Sequence, residues 1–99
     1  MRSMDTEALF SMEVVNLCGG VRRGCPTGLE LCVGQDCLTA AALYLPCDCS
    51  LVQRLPFARR EVYRIPWKCV ECVGEDTILV RLPQDELNAC RQPEPRRRL

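Results

Sequence analysis

Two close pairs of cysteines constrain this chain more than any other feature of its sequence. They are the Cys-Asp-Cys motif at 47–49 and the Cys-Val-Glu-Cys motif at 69–72, and 19 residues separate them. A connection of that length lets the chain fold back so that four sulfurs lie at the corners of a tetrahedron, the geometry of a structural zinc site. The sequence therefore predicts one zinc ion with four thiolate ligands: Cys47, Cys49, Cys69 and Cys72.

The other cysteines leave alternatives open, because the chain has nine cysteines and no histidine. Three of them are rival ligands for the same ion: Cys32, Cys37 and Cys90. A looser second site is conceivable from Cys18, Cys25, Cys32 and Cys37. The cysteines could also form a disulfide framework, although an odd number of cysteines cannot pair completely within one chain. They could also remain unligated thiols that pack as small apolar side chains. A thioredoxin-like redox pair at 69–72 is less favoured, since that motif begins a helix and none is predicted there.

Charge and hydropathy exclude several classes of protein. The N-terminus is charged and no apolar run of signal-peptide length follows it, which favours a reducing compartment over secretion. No apolar run approaches the roughly 20 residues that span a bilayer, so no membrane association is expected. Thirteen basic and 13 acidic side chains cancel, so the whole chain has no electrostatic bias towards nucleic acid.

The apolar pattern predicts an α+β fold, in which a small zinc-stapled domain has a short antiparallel sheet, N-terminal helices and a short C-terminal helix. Segments rich in branched and aromatic side chains predict strands at 62–70 and 77–82. Apolar residues at helical spacing, with glycine or proline at the ends of the runs, predict helices at 5–18, 29–45 and 83–92. The chain then divides into an amphipathic N-terminal helix, a zinc-binding domain and a basic tail, at 1–20, 21–92 and 93–99.

The N-terminal helix packs either on its own domain or against a partner, including a second copy of the chain. With the strand from Val62 to Trp67 it forms the predicted recognition surface: Phe10, Val14, Leu17, Tyr63 and Trp67. The run of Arg96, Arg97 and Arg98 at the C-terminus is either a solvated tail or a weak contact for phosphates or an import receptor.

Residues 31–72 resemble one zinc-binding half of the papillomavirus early protein six, a family of transforming proteins. The matching segments are Leu31-Cys32, an apolar helix, Leu-Pro-Cys-Asp-Cys at 45–49, Arg-Glu-Val-Tyr at 60–63, and Trp67-Lys68 with the 69–72 motif. The sister early protein seven is similar from Tyr63 to Arg91. The chain departs from the family in its first cysteine pair, which has one intervening residue instead of two, and in lacking a second zinc domain and the retinoblastoma-binding Leu-x-Cys-x-Glu motif.

The resemblance implies a non-enzymatic viral adaptor that docks onto host regulatory proteins in the nucleus and cytoplasm of a host cell. The alternative is a zinc-knuckle accessory protein that binds nucleic acid through Arg22, Arg23, Arg59, Arg60 and the run at 96–98. An enzyme is not expected. The chain has no histidine to serve as a base, and a zinc ion with four thiolate ligands has no open position for water.

Overall fold

The structure, a computed structural model, describes residues 4–47 and 61–95. Strands account for 48% of these residues, and only two short helices occur among them, Thr6–Phe10 (α1) and Gln84–Ala89 (α2). The predicted α+β fold with N-terminal helices is therefore wrong, and the protein is mostly β.

Eight strands occur in the described residues, in chain order β1 Glu13–Asn16, β2 Val21–Arg22, β3 Gly28–Val33, β4 Leu38–Pro46, β5 Glu61–Pro66, β6 Val70–Val73, β7 Thr77–Val80 and β8 Arg91–Pro93. They form two four-stranded sheets with the orders β2-β1-β7-β6 and β3-β4-β5-β8. Strands β1 and β7 are parallel, and every other neighbouring pair is antiparallel. A 3₁₀ helix, Trp67–Cys69, connects β5 of the second sheet to β6 of the first.

The hydrophobic core combines residues of both sheets with one residue from each helix, Leu9 of α1 and Leu87 of α2. The largest of its fully buried side chains are Leu43, Leu45, Ile65, Ile78 and Leu87. Full burial of one such side chain stabilises a fold by roughly 1.5–3 kcal/mol, so the contact between the sheets is the main source of stability.

The predicted helix at 5–18 is correct only in its first turns. Asp5 caps α1 by accepting a hydrogen bond from the Ala8 N–H at 2.8 Å, and the helix ends at Phe10. The chain then becomes strand β1, in which buried Val14 and Asn16 alternate with half-buried neighbours. The residues predicted on one helix face therefore lie in α1, in β1 and in the turn after β1, and β1 belongs to the same sheet as β6 and β7.

The predicted helix at 29–45 is wrong, because this segment forms the hairpin of β3 and β4. Its pairs run from Gly28 opposite Tyr44 to Val33 opposite Leu38, with a register shift between Glu30 and Leu31. The alanines at 40–42 favour a helix in isolation, but pairing with β3 and β5 on both sides outweighs that local preference.

The strands predicted at 62–70 and 77–82 are confirmed as β5 and β7, with the 3₁₀ helix interrupting the first of them. The helix predicted at 83–92 is confirmed as α2, which Pro83 precedes at the N-cap position. Within the described ranges neither helix has the length and apolar character required to cross a membrane. The arginines at 96–98 lie outside the described residues.

Candidate functional site

The four cysteines of the predicted zinc site have different environments. Cys47 follows β4 directly and is 5% exposed within the core, where its N–H donates to the Glu61 carbonyl at 3.4 Å. Cys69 ends the 3₁₀ helix and is half-buried, whereas Cys72 is exposed on β6. Cys49 lies outside the described residues. Among those that are described, no three or more cysteine, aspartate or glutamate side chains are arranged to hold a metal ion, so the zinc site stays a prediction.

Cys90, a rival ligand in the sequence, lies just after α2 and packs with Cys69 against the same core. Burial, and secondarily the charge of the neighbouring Cys69, raise the pKa of the Cys90 thiol. Its partial burial against the core fits a packing role. Of the remaining candidates, Cys18 is half-buried and three are exposed: Cys25, Cys32 and Cys37.

Replacing Cys72 by serine tests the zinc prediction directly. The variant removes one of the four predicted ligands, so we expect release of the zinc ion and loss of the cooperative unfolding transition. The control variant Cys25→Ser changes an exposed thiol outside the predicted site, and we expect it to change the free energy of unfolding by less than about 0.5 kcal/mol. Urea denaturation measures both values, and native mass spectrometry with and without chelator measures the metal content. A Cys72→Ser variant that keeps its zinc ion and a cooperative transition would contradict the four-thiolate site.

The residues of the predicted recognition surface do not form one exposed face. Val14 and Tyr63 are buried core residues, and Phe10 and Trp67 are partly buried and pack against the same core. Leu17 is 38% exposed in the turn after β1. The N-terminal segment therefore completes the core, which is the first of the two roles that its apolar pattern predicts.

The arginines of the described residues each have a partner within the chain. Four of them form ion pairs with glutamates: Arg22 with Glu13, Arg64 with Glu30, Arg81 with Glu71 and Arg91 with Glu61. The fifth, Arg23, donates to the Gln84 side chain at 3.1 Å and lies over the ring of Tyr63, 5.8 Å from its centroid. These side chains form no unpaired basic patch in the part of the chain that the structure describes.

The most exposed large apolar side chains of the described residues lie on the β3–β4 hairpin. Val33, Leu38 and Leu31 are 77%, 61% and 47% exposed. Val33 lies opposite Leu38 and Leu31 opposite Ala40, so these side chains share one face of the hairpin. Leu29, two residues before Leu31 on the same strand, has the same orientation and packs against the core. We call this surface, formed by Leu29, Leu31, Val33 and Leu38, the hairpin stripe.

Strand β3 is also an open edge of its sheet, because β4 is its only strand neighbour among the described residues. It has six residues and carries no proline, lysine or arginine, the features with which proteins usually protect an edge. The other end strands β2, β6 and β8 have two, four and three residues, and β8 ends at Pro93. β3 is therefore the longest end strand among the described residues, with the most open backbone for pairing with another chain.

The hairpin turn shows which backbone groups of β3 point outward. The Gly34 N–H donates to the Cys37 carbonyl at 2.8 Å. Since hydrogen-bonded and non-hydrogen-bonded pairs alternate in an antiparallel ladder, the next pair, Val33 and Leu38, is non-hydrogen-bonded. The N–H and C=O groups of Val33, and two residues earlier those of Leu31, therefore point away from β4 towards the open edge.

A polar network anchors the opposite face of β3. Glu30 accepts hydrogen bonds from the Tyr44 hydroxyl at 3.0 Å and from the Arg64 guanidinium, so it joins β3 to β4 and β5. The hydrogen bond from Arg64, and then that from Tyr44, lower the pKa of the Glu30 carboxyl. Burial, and then the bond to Glu30, raise the pKa of Tyr44. The base of the hairpin is thus held in place before any partner binds.

A cleft of about 240 Å³ continues the hairpin stripe towards the core. It lies between the start of β3, the start of α1, the 3₁₀ helix and the end of β6. Five of the seven lining residues are apolar: Met4, Leu9, Leu29, Trp67 and Val73. Leu29 belongs to both the stripe and the cleft, so the two form one continuous apolar surface.

The hairpin stripe was missed in the sequence because 29–45 was interpreted as a helix. The alternation of Leu29, Leu31 and Val33, followed by a glycine and a polar turn, is a strand-and-hairpin signal that would have located it. Comparison of the chain with models of protein families, with curated proteins and with solved structures gave no match.

Proposed function

We propose that this protein is a non-enzymatic adaptor that binds an extended segment of a partner protein along β3. The observation that carries the proposal is the coincidence of an open, six-residue edge strand with the hairpin stripe. A strand added at such an edge gains backbone hydrogen bonds, and its alternate side chains contact the apolar face. The proposal keeps the adaptor class predicted from the sequence, with a host regulatory protein as partner, and moves the recognition surface to the hairpin.

Two properties of the hairpin support this mode of binding. The outward N–H and C=O groups of Leu31 and Val33 have no strand beside them within the described residues, so an added strand would satisfy them. Glu30, the only charged residue of β3, is already paired with Arg64, so the strand carries no unpaired charge. An uncharged edge favours an extended, largely uncharged segment as its occupant.

The pairing of the described arginines weighs against the alternative, a nucleic-acid-binding protein. Affinity for nucleic acid comes largely from lysine and arginine side chains that replace the counterions of phosphates. Arg22 and Arg23, two of the residues named for that role, have Glu13 and Gln84 as partners. Arg59, Arg60 and the run at 96–98 lie outside the described residues.

Substitution of Val33 tests strand addition without disturbing the intrachain ladder. Proline at position 33 removes an N–H that points to the open edge, where proline is tolerated. The control Val33→Thr keeps the N–H and the branched side chain. Linear peptides selected from a random phage-displayed library on the wild-type protein serve as ligands, and fluorescence anisotropy measures their dissociation constants.

We expect Val33→Pro to weaken binding of the selected peptides at least about tenfold, because loss of one buried backbone hydrogen bond and its apolar contact costs more than about 1.4 kcal/mol, which is a factor of ten in affinity. Val33→Thr keeps that hydrogen bond and should weaken binding less than about threefold. Circular dichroism and urea denaturation should show both variants folded. Equal affinity of wild type and Val33→Pro, or a selection that gives no binding peptide, would contradict the proposal.

A further inference from the structure

The position of the cleft relative to β3 predicts which kind of side chain the partner segment carries at each position. In an added strand, every second side chain lies on the face of the hairpin stripe. The residue opposite Leu29 then lies over the cleft, and the next two on that face lie beside Leu31 and Val33. The first of these positions has the most defined space, because Leu29 lines the cleft.

The cleft has the size and lining of a pocket for one large apolar side chain. Its volume is about 240 Å³. Trp67 and Leu9 offer apolar contact, and both pack on the core, so the lining is held by the fold. Leu31 and Val33 lie further out on the hairpin, where a smaller branched side chain suffices to cover them.

Charge around the cleft adds a second requirement. Asp5 lines the cleft, Glu7 is exposed on the same helix, and the turn that follows Val73 exposes Glu75 and Asp76. Lys68, next to Trp67, is the exposed basic residue on this side. Acidic side chains thus outnumber basic ones at this end of the hairpin stripe, which favours a basic residue beside the large apolar one.

We infer that the partner segment is an extended strand with apolar residues at alternate positions, the largest of them seated in the Trp67 cleft and followed two positions later, on the same face, by a basic residue. The inference rests on the proposed function and names the ligand of that same surface. The segment runs antiparallel to β3, because antiparallel pairing is the more stable arrangement per residue. Its large apolar residue therefore lies near its C-terminal end.

A set of synthetic peptides tests the pattern. The probe is Thr-Val-Thr-Val-Thr-Leu-Thr-Lys, blocked at both ends, and three matched peptides replace Leu by Ala, replace Lys by Glu, or reverse the order of residues. The chain has one tryptophan, so its fluorescence reports on the cleft directly. Titration of the wild-type protein with each peptide gives dissociation constants and the shift of the Trp67 emission.

We expect the Leu peptide to bind at least about tenfold more tightly than the Ala peptide and to shift the emission to shorter wavelength as the cleft becomes dry. The Glu peptide should be several-fold weaker at low salt and closer to the Lys peptide at high salt. The protein variant Thr6→Phe, which fills the cleft from the exposed start of α1, should remove the preference for Leu over Ala.

Different results separate failure of the inference from failure of the proposed function. If Val33→Pro abolishes binding of the Leu and Ala peptides but the wild-type protein does not distinguish them, strand addition is right and the cleft assignment is wrong. If no peptide binds, both fail. If sedimentation shows a dimer that Val33→Pro dissociates, the occupant of β3 is a second copy of the chain, which also overturns the inference.

Discussion

Replacing Val14 by aspartate is expected to unfold the protein. Val14 is fully buried in the middle of the core and lies opposite Ile78 in the parallel pair of β1 and β7. A carboxylate there loses its hydration, and protonation to avoid the charge still buries a polar group. We expect a loss of more than about 4 kcal/mol, a large part of the 5–15 kcal/mol typical of a domain, and no cooperative thermal transition.

The matched control is Val15→Asp, one residue further along β1, where the half-buried side chain points to the other face of the sheet. This variant should keep a cooperative melt and lose clearly less stability. Sedimentation of both variants tests the docking role that the sequence allowed for this segment. If Val14→Asp melted like the wild type but lost self-association or partner binding, the N-terminal segment would be the recognition surface after all.

Replacing Asn16 by alanine is expected to have the second largest effect. Asn16 is the only buried polar residue of the described core, at 2% exposure, and its amide joins the end of β1 to the segment between β7 and α2. Its nitrogen donates to the Leu82 carbonyl at 2.8 Å, and its oxygen accepts from the N–H groups of Leu82 at 3.2 Å and Cys18 at 3.1 Å. Alanine would leave three backbone groups without this partner.

An unsatisfied buried polar group costs about 1–3 kcal/mol, so we expect Asn16→Ala to lower the free energy of unfolding by about 2–4 kcal/mol. Urea denaturation measures the change. Asn88→Ala is the matched control, because Asn88 is exposed on α2 and alanine favours a helix, so its effect should stay within about 0.5 kcal/mol. A loss of less than about 1 kcal/mol in Asn16→Ala would show that water satisfies these backbone groups in place of the amide. The Asn16 side chain would then not be what stabilises the contact between β1 and the segment before α2.

Local patterns in the sequence were sufficient for three elements. Branched and aromatic residues at 62–66 and 77–80 form β5 and β7, because these side chains suit a half-buried sheet surface. Pro83 followed by Asp85 and Glu86 marks the start of α2, since proline and acidic residues are compatible with a helix N-terminus. In each case the residues that determine the element are neighbours in sequence, so the signal is local.

Local sequence patterns did not predict the candidate site. Trp67 was recognised as a functional candidate, and the structure places it in the lining of the cleft. Leu29, Leu31 and Val33 were assigned to a helix, so the edge strand that they form was not considered. Cysteine spacing, the strongest local signal, says which thiols are close in sequence, but the burial of Cys47 and the exposure of Cys72 are properties of the folded sheets.

By itself, the sequence determined the strands before and after the 69–72 motif and the short helix that begins after Pro83. Only the tertiary structure decided whether 13–16 and 29–45 are helical or extended. These segments contain residues compatible with either state, and the choice depends on partners far along the chain: β7 for β1, and β5 for β4. Hydrogen bonds and burial across such contacts outweigh differences in local propensity of less than about 1 kcal/mol per residue.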